Sequence, residues 1–167
     1  KLEAVTGQYQ FKQGEYYQNG QLFHGQHLHG IKEVLYCSDK GIVADVNSAP
    51  APTAWMKQPI RSNWLTDPLI LDSAFQMMIL WSFEQQGIGS LPTAIGHYRQ
   101  YQRGFPKDGA RVIAEVNEHT NNRANASVEF LDNEAKLIAV IDDYECVRDS
   151  SLKSSFVNNR LNKKVHF

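Results

Sequence analysis

Asp72 and Gln76 stand four residues apart inside Leu69-Ile-Leu-Asp-Ser-Ala-Phe-Gln-Met-Met-Ile-Leu-Trp-Ser-Phe83, a stretch that is otherwise nearly all apolar. At positions i and i+4 of a helix the carboxyl and the carboxamide share a face, with Ile79, Leu80 and Phe83 continuing the wall. A carboxyl so placed can pass a proton to a departing oxygen, and the amide can hold either group in position. Apolar neighbours such as Leu69, Ile70 and Phe75 would favour the protonated acid, whereas a helix N-terminus close by would favour the carboxylate. A structural account stands beside this one. Both groups would then satisfy backbone or an Arg from elsewhere, or Asp72 would cap a helix that starts after the break at Asp67-Pro68.

His24, His27 and His29 are the other cluster with chemical potential. Zinc would need further ligands, and Cys37 and Cys146 lack the paired spacing of a metal site, so no metal is expected. One of the three could act as a base; loop histidines bonded to backbone or water are the structural alternative. Arg99 and Arg103 share a strand face with Tyr101, suited to a phosphate or simply to solvent.

These residues need a scaffold. A chain of 167 residues with 42% hydrophobic content supports one domain with a sizeable core. Seventeen basic residues against eighteen acidic ones leave a formal charge of -1, with no basic stripe for nucleic acid. The longest apolar run falls short of the ~20 residues of a membrane crossing, so no membrane partner is expected. The residues up to Gly30, rich in Gln, Gly, Tyr and His, predict loops with at most one short helix. Lys32–Cys37 and Gly41–Val46 predict a hairpin, and the proline-rich stretch from Ser48 to Pro68 a loop or arm. A helix follows from about Leu69 to Gln86, stopped by Gly87 and Gly89. Strands are then expected near Leu91–Tyr101, Arg111–Val116, Ala124–Phe130 and Ala135–Tyr144. This order predicts an α+β hotdog fold, an antiparallel sheet wrapped around one long buried helix, over residues 1–149. Residues 150–167 read as an exposed or poorly ordered tail.

Three short motifs carry a resemblance. Leu22-Phe-His-Gly-Gln-His-Leu-His-Gly-Ile31 resembles the aromatic-x-Gly-Pro-x-Phe-Gln-x-Ile segment of polyketide synthase dehydratase domains, Leu71-Asp-Ser-Ala-Phe-Gln76 their Leu-Asp-x-x-x-Gln motif, and Ser90-Leu-Pro-Thr-Ala-Ile95 the Leu-Pro segment that follows. Gln26, Leu28 and His29 replace the Pro, Phe and Gln of the first motif. The resemblance is to the second, C-terminal hotdog half, of a polyketide or polyunsaturated fatty acid synthase. The family's His-x-x-x-Gly-x-x-x-x-Pro motif, which supplies the catalytic base, does not occur in this sequence.

The resemblance implies dehydration of a 3-hydroxyacyl thioester carried on the phosphopantetheine of an acyl carrier protein, giving the 2-enoyl thioester. Asp72 would be the acid and Gln76 its assistant, with Phe23, His24, Gly25, Leu91 and Pro92 against the substrate and no cofactor beyond the carrier arm. It also implies a first hotdog half bearing the base and other synthase domains; the widely spaced Cys37 and Cys146, read as free thiols, fit a reducing cytoplasm. A half-interface left wet predicts a homodimer or larger assembly. Rival readings are a product-template-like cyclase half and a non-catalytic scaffold or carrier-binding module.

Overall fold

The strongest local signal in the chain is the run after Pro68, and it forms the central helix. The computed structural model describes residues 14–158. Helix α3, Pro68–Gln86, begins at Asp67, whose carboxylate accepts from the backbone N–H groups of Leu69 (2.9 Å) and Ile70 (3.0 Å). That satisfies donors left open by the first turn, and Pro68 needs no N–H there. Asp67 is therefore the cap, and Asp72 lies inside the helix. Gly87, at φ 69, ends it in the left-handed conformation, with its N–H on the Phe83 carbonyl.

Before α3 come a short helix α1, Glu15–Gln18; a 3₁₀ turn, Gln26–Leu28; and the hairpin of β1, Ile31–Ser38, with β2, Gly41–Val46. The arm between β2 and α3 holds the short helix α2, Pro52–Trp55. After α3 run β3, Gly89–Gln100; β4, Ala110–His119; β5, Arg123–Leu131; and β6, Leu137–Asp149. The six strands make one antiparallel sheet in the order β1-β2-β4-β5-β6-β3, so β1 and β3 are its edges.

Strict alternation makes one sheet face apolar, as in β5, where Ala124, Ala126, Val128 and Phe130 point inward. That face meets α3, which is apolar on nearly every side because it is surrounded. Met77, Met78, Leu80 and Trp81 are fully buried, and each such side chain removes roughly 1.5–3 kcal/mol of apolar exposure. Polar pins set the helix against the strands. Trp81 Nε1 donates to the Ser38 carbonyl at 2.8 Å, Ser90 Oγ to the Met78 carbonyl at 3.2 Å, and Arg148 Nε to Ser82 Oγ at 3.0 Å.

The end of the chain departs from expectation. Residues 151–158 form a fourth helix, α4, Ser151–Asn158, with Phe156 buried against Phe23 and Phe83. Its composition is polar, but Phe156 and the half-buried Leu152 dock it, and Gly89 leaves the space: a Cβ there would meet Leu152 at 2.9 Å and Phe156 at 3.0 Å. Residues 1–13 of the expected N-terminal loops and 159–167 of the expected tail lie outside the described residues.

Candidate active site

Two segments distant in sequence meet at the first turns of α3: the stretch from α1 to the 3₁₀ turn, and the helix itself. Gly30 makes the approach feasible. A Cβ at that position would overlap Ser73 Oγ and the Leu69 side chain, so the loop lies on the helix with no side chain between them. Ser73 in turn donates to the Leu69 carbonyl at 2.7 Å, keeping its hydroxyl on its own helix.

Close contact brings the loop carbonyls within reach of Gln76, which is fully buried. Its Nε2 donates to the Leu28 carbonyl at 2.7 Å and to Asp72 Oδ2 at 2.6 Å, and its Oε1 accepts from the Tyr17 hydroxyl at 2.7 Å. The Tyr17 oxygen also accepts from the Ile31 N–H at 3.0 Å. Burial pushes the Tyr17 pKa well up, so its hydroxyl stays protonated and can donate to the amide. Every hydrogen-bonding atom of the Gln76 amide thus has a partner. The amide has one orientation, which places N–H against Asp72.

Asp72 itself is less enclosed than its neighbours in sequence suggest. Its side chain is 30% exposed, because Leu69 and Ile70 turn into the core and Phe75 packs on Tyr144, ring centroids 5.6 Å apart, instead of closing over the carboxyl. The expectation of a carboxyl sealed among these apolar groups is corrected to one held at an open rim. Among the described residues no hydrogen bond reaches Oδ1, and no Arg approaches the carboxyl.

Beside it lies His24, whose side chain is only 10% exposed and whose Nε2 is 3.8 Å from Asp72 Oδ2. Burial lowers the His24 pKa below the ordinary imidazole value; the Asp72 charge opposes that shift and His29 adds to it. Phe23 stacks on the His24 ring at 4.4 Å and is itself backed by Phe156 at 4.6 Å. His29 Nε2 bonds the His24 carbonyl at 3.0 Å while its ring stacks on Tyr17 at 3.9 Å. The three loop histidines therefore diverge: His24 faces Asp72, His29 braces the loop, and His27 is exposed. Among the described residues no three His, Cys, Asp or Glu side chains converge as metal ligands.

Of the residues marked in the sequence, Asp72, Gln76 and His24 come together, Phe23 stacks on His24, and Gly25 starts the 3₁₀ turn beside it. Leu91 and Pro92 sit further along. Ser90 touches Met78, about 9 Å of helix beyond Asp72. Leu91 packs on the core and Pro92 is exposed on the edge strand. Tyr17 is the member that sequence reasoning missed. Its neighbour Tyr16, buried and bonded to the Ile31 carbonyl at 3.2 Å, anchors the same turn, and a Tyr-Tyr pair in a polar loop was the available signal. Arg99, marked for phosphate, is paired with Asp142 across the strands.

One long helix packed on a six-stranded antiparallel sheet, with a carboxyl-amide pair at the helix's start, defines a hotdog domain. The sequence model described as "Polyketide synthase dehydratase N-terminal domain" matches residues 10–155, and the chain belongs to the polyketide synthase dehydratase family. A component of a polyunsaturated fatty acid synthase from Thraustochytrium sp. is 34% identical over 96 residues, which is 58% of this chain and 3% of that protein. Among solved structures, the dehydratase domain from the CurJ module of curacin polyketide synthase aligns with TM-score 0.63 at 15% identity, covering 86% of this chain and 48% of that one. A trans-acyltransferase polyketide synthase enoyl-isomerase aligns with TM-score 0.58 at 18% identity, covering 73% and 46%. The chain thus spans about half the length of these structural relatives. No helix among the described residues is long and apolar enough to cross a membrane.

Proposed function

We propose that this domain supplies the acid half of a dehydratase site acting on a 3-hydroxyacyl thioester borne by an acyl carrier protein. A base takes the proton from Cα, Asp72 gives its proton to the β-hydroxyl, and water leaves to give the 2-enoyl thioester. The elimination is redox-neutral, and the carrier's phosphopantetheine is the only prosthetic arm it requires. The observation that carries this reading is the buried Gln76 amide, wired on three sides so that it presents N–H to one oxygen of a carboxyl whose other oxygen is open. Such wiring aims a proton donor and does nothing that packing alone would need.

The partner half enters on the same grounds. The His-x-x-x-Gly-x-x-x-x-Pro motif is missing from the sequence, and Asp72 with Gln76 resembles the pair of the second half of the double hotdog, which supports a base on another hotdog unit. The family description, which names an N-terminal domain, is the one observation pointing to the other half. Strand β3 is the natural seam: it is an edge strand of twelve residues, exposed from Pro92 to His97, with Ile95 45% open to solvent. Unpaired strand edges of this length are usually covered, here by the partner hotdog or by a second copy of this chain.

In the parent polypeptide, Asp72→Asn keeps the size of the side chain and its contact with Gln76 but removes the transferable proton. Dehydration of a carrier-bound 3-hydroxyacyl chain, followed by mass spectrometry, is expected to fall by at least about 10²-fold. Full activity in that variant would overturn the assignment.

A further inference from the structure

The imidazole beside the acid has no structural duty that accounts for its placement. His29 illustrates what a structural histidine looks like, with its Nε2 bonded to a carbonyl and its ring stacked on Tyr17. His24 shares the stacking, on Phe23, and differs at its nitrogens. Its Nδ1 is buried with no hydrogen-bond partner among the described residues, an arrangement that costs stability unless it serves something else. Its Nε2 faces Asp72 Oδ2 at 3.8 Å, too long for a hydrogen bond and short enough for one to form on a small closure. Phe23, Phe156 and the His29 bond to its carbonyl all hold the ring in that pose.

We propose that His24 and Asp72 share one proton, His24 being the positioning residue through which the acid receives it. This rests on the dehydratase reading for its chemical meaning. A general acid must carry its proton when substrate arrives, whereas a carboxyl in neutral water has lost it. Burial leaves the imidazole neutral at the upper end of the pH range, and as the pH falls toward its lowered midpoint the pair takes up one proton, held on the imidazole opposite the carboxylate. When an acyl chain covers the open rim and expels water, separated charges are disfavoured and the proton moves from Nε2 to Asp72. Asp72 then passes it to the β-hydroxyl as the C–O bond breaks and water departs, while the base of the partner half holds the proton from Cα. The cycle closes when the base releases its proton to solvent and the His24–Asp72 pair takes one up. The titratable groups around the ring are Asp72 on α3, His29 in the loop and, behind His29, Tyr17 of α1; α4 presents only Phe156 through Phe23.

The test is a pH titration of the histidine rings by NMR in this chain, with the His24 signal assigned by its loss in His24→Gln. In Asp72→Asn the His24 midpoint should fall by about half a unit or more, while His27 and His29 keep theirs. An unchanged His24 midpoint would overturn the pairing, whatever the enzyme does. In the parent polypeptide, His24→Gln should lower kcat about tenfold with KM little changed and shift the limb of the pH profile that reports the acid; an unaltered profile would also overturn it. If Asp72→Asn stays fully active while the titration shows coupling, the pair stands and the dehydratase reading fails.

Discussion

Replacing Gln76 with Leu tests whether the amide is held as firmly as its geometry indicates. The side chain is fully buried and makes hydrogen bonds of 2.7, 2.7 and 2.6 Å to Tyr17, Leu28 and Asp72. Leucine fits the volume and offers none of them. The Leu28 carbonyl would lose its amide donor, and the Tyr17 hydroxyl would lose its acceptor while keeping the Ile31 N–H. Asp72, 30% exposed, can turn to water and adds little. Two buried groups left short at about 1–3 kcal/mol each, less some gain from apolar burial, predict a loss of about 2–4 kcal/mol. Urea denaturation followed by tryptophan fluorescence measures it, as a lowered midpoint at constant slope. Tyr17→Phe strands the opposite end of one of these bonds, so the double variant should fall short of additivity by about 1–2 kcal/mol. A loss below about 1 kcal/mol for Gln76→Leu, with additive behaviour, would refute the view that this network fixes the acid.

Other perturbations probe the surroundings. Burial lowers the folded-state pKa of His24 below the ordinary value, so the unfolded chain binds that proton more readily and stability falls as pH drops below about 6.5. Urea midpoints at pH 7.5 and 5.5 should show the decline, and His24→Gln should flatten it; an undiminished slope in the variant would assign the effect elsewhere. Phe156→Ala, which removes the prop behind Phe23, should cost about 3 kcal/mol and move the His24 ring resonances. Ring resonances left in place would show that α4 does not brace the site. Asp67→Ala removes acceptors for Leu69, Ile70 and Ala49 N–H groups and should lower stability by about 1.5 kcal/mol or more in the same urea assay.

The fold was largely legible because its elements announce themselves by period and punctuation. The alternation of Ala124 to Phe130 gave a strand with one wet face, and the apolar run between Asp67-Pro68 and Gly87 gave the helix to within a residue or two. Helix α4 was not legible, since its docking depends on Phe156 finding a surface made by Phe23 and Phe83 from remote parts of the chain. The site divides the same way. Spacing within one helix joins Asp72 to Gln76, whereas Tyr17 reaches Gln76 across 59 residues and no local pattern encodes that approach. Apolar neighbours in sequence also misled about enclosure: in a helix the residues flanking Asp72 point away from it, so their hydrophobicity describes the core and leaves the carboxyl at the rim.

Where loop main chain rests directly on α3 at Gly30, the floor on which the loop and helix groups are mounted cannot be lowered, tilted or padded. Altered reactivity in this scaffold must therefore come from exchanging the groups mounted on that floor, residue 24 foremost, and a library aimed at new substrates would do well to leave position 30 untouched.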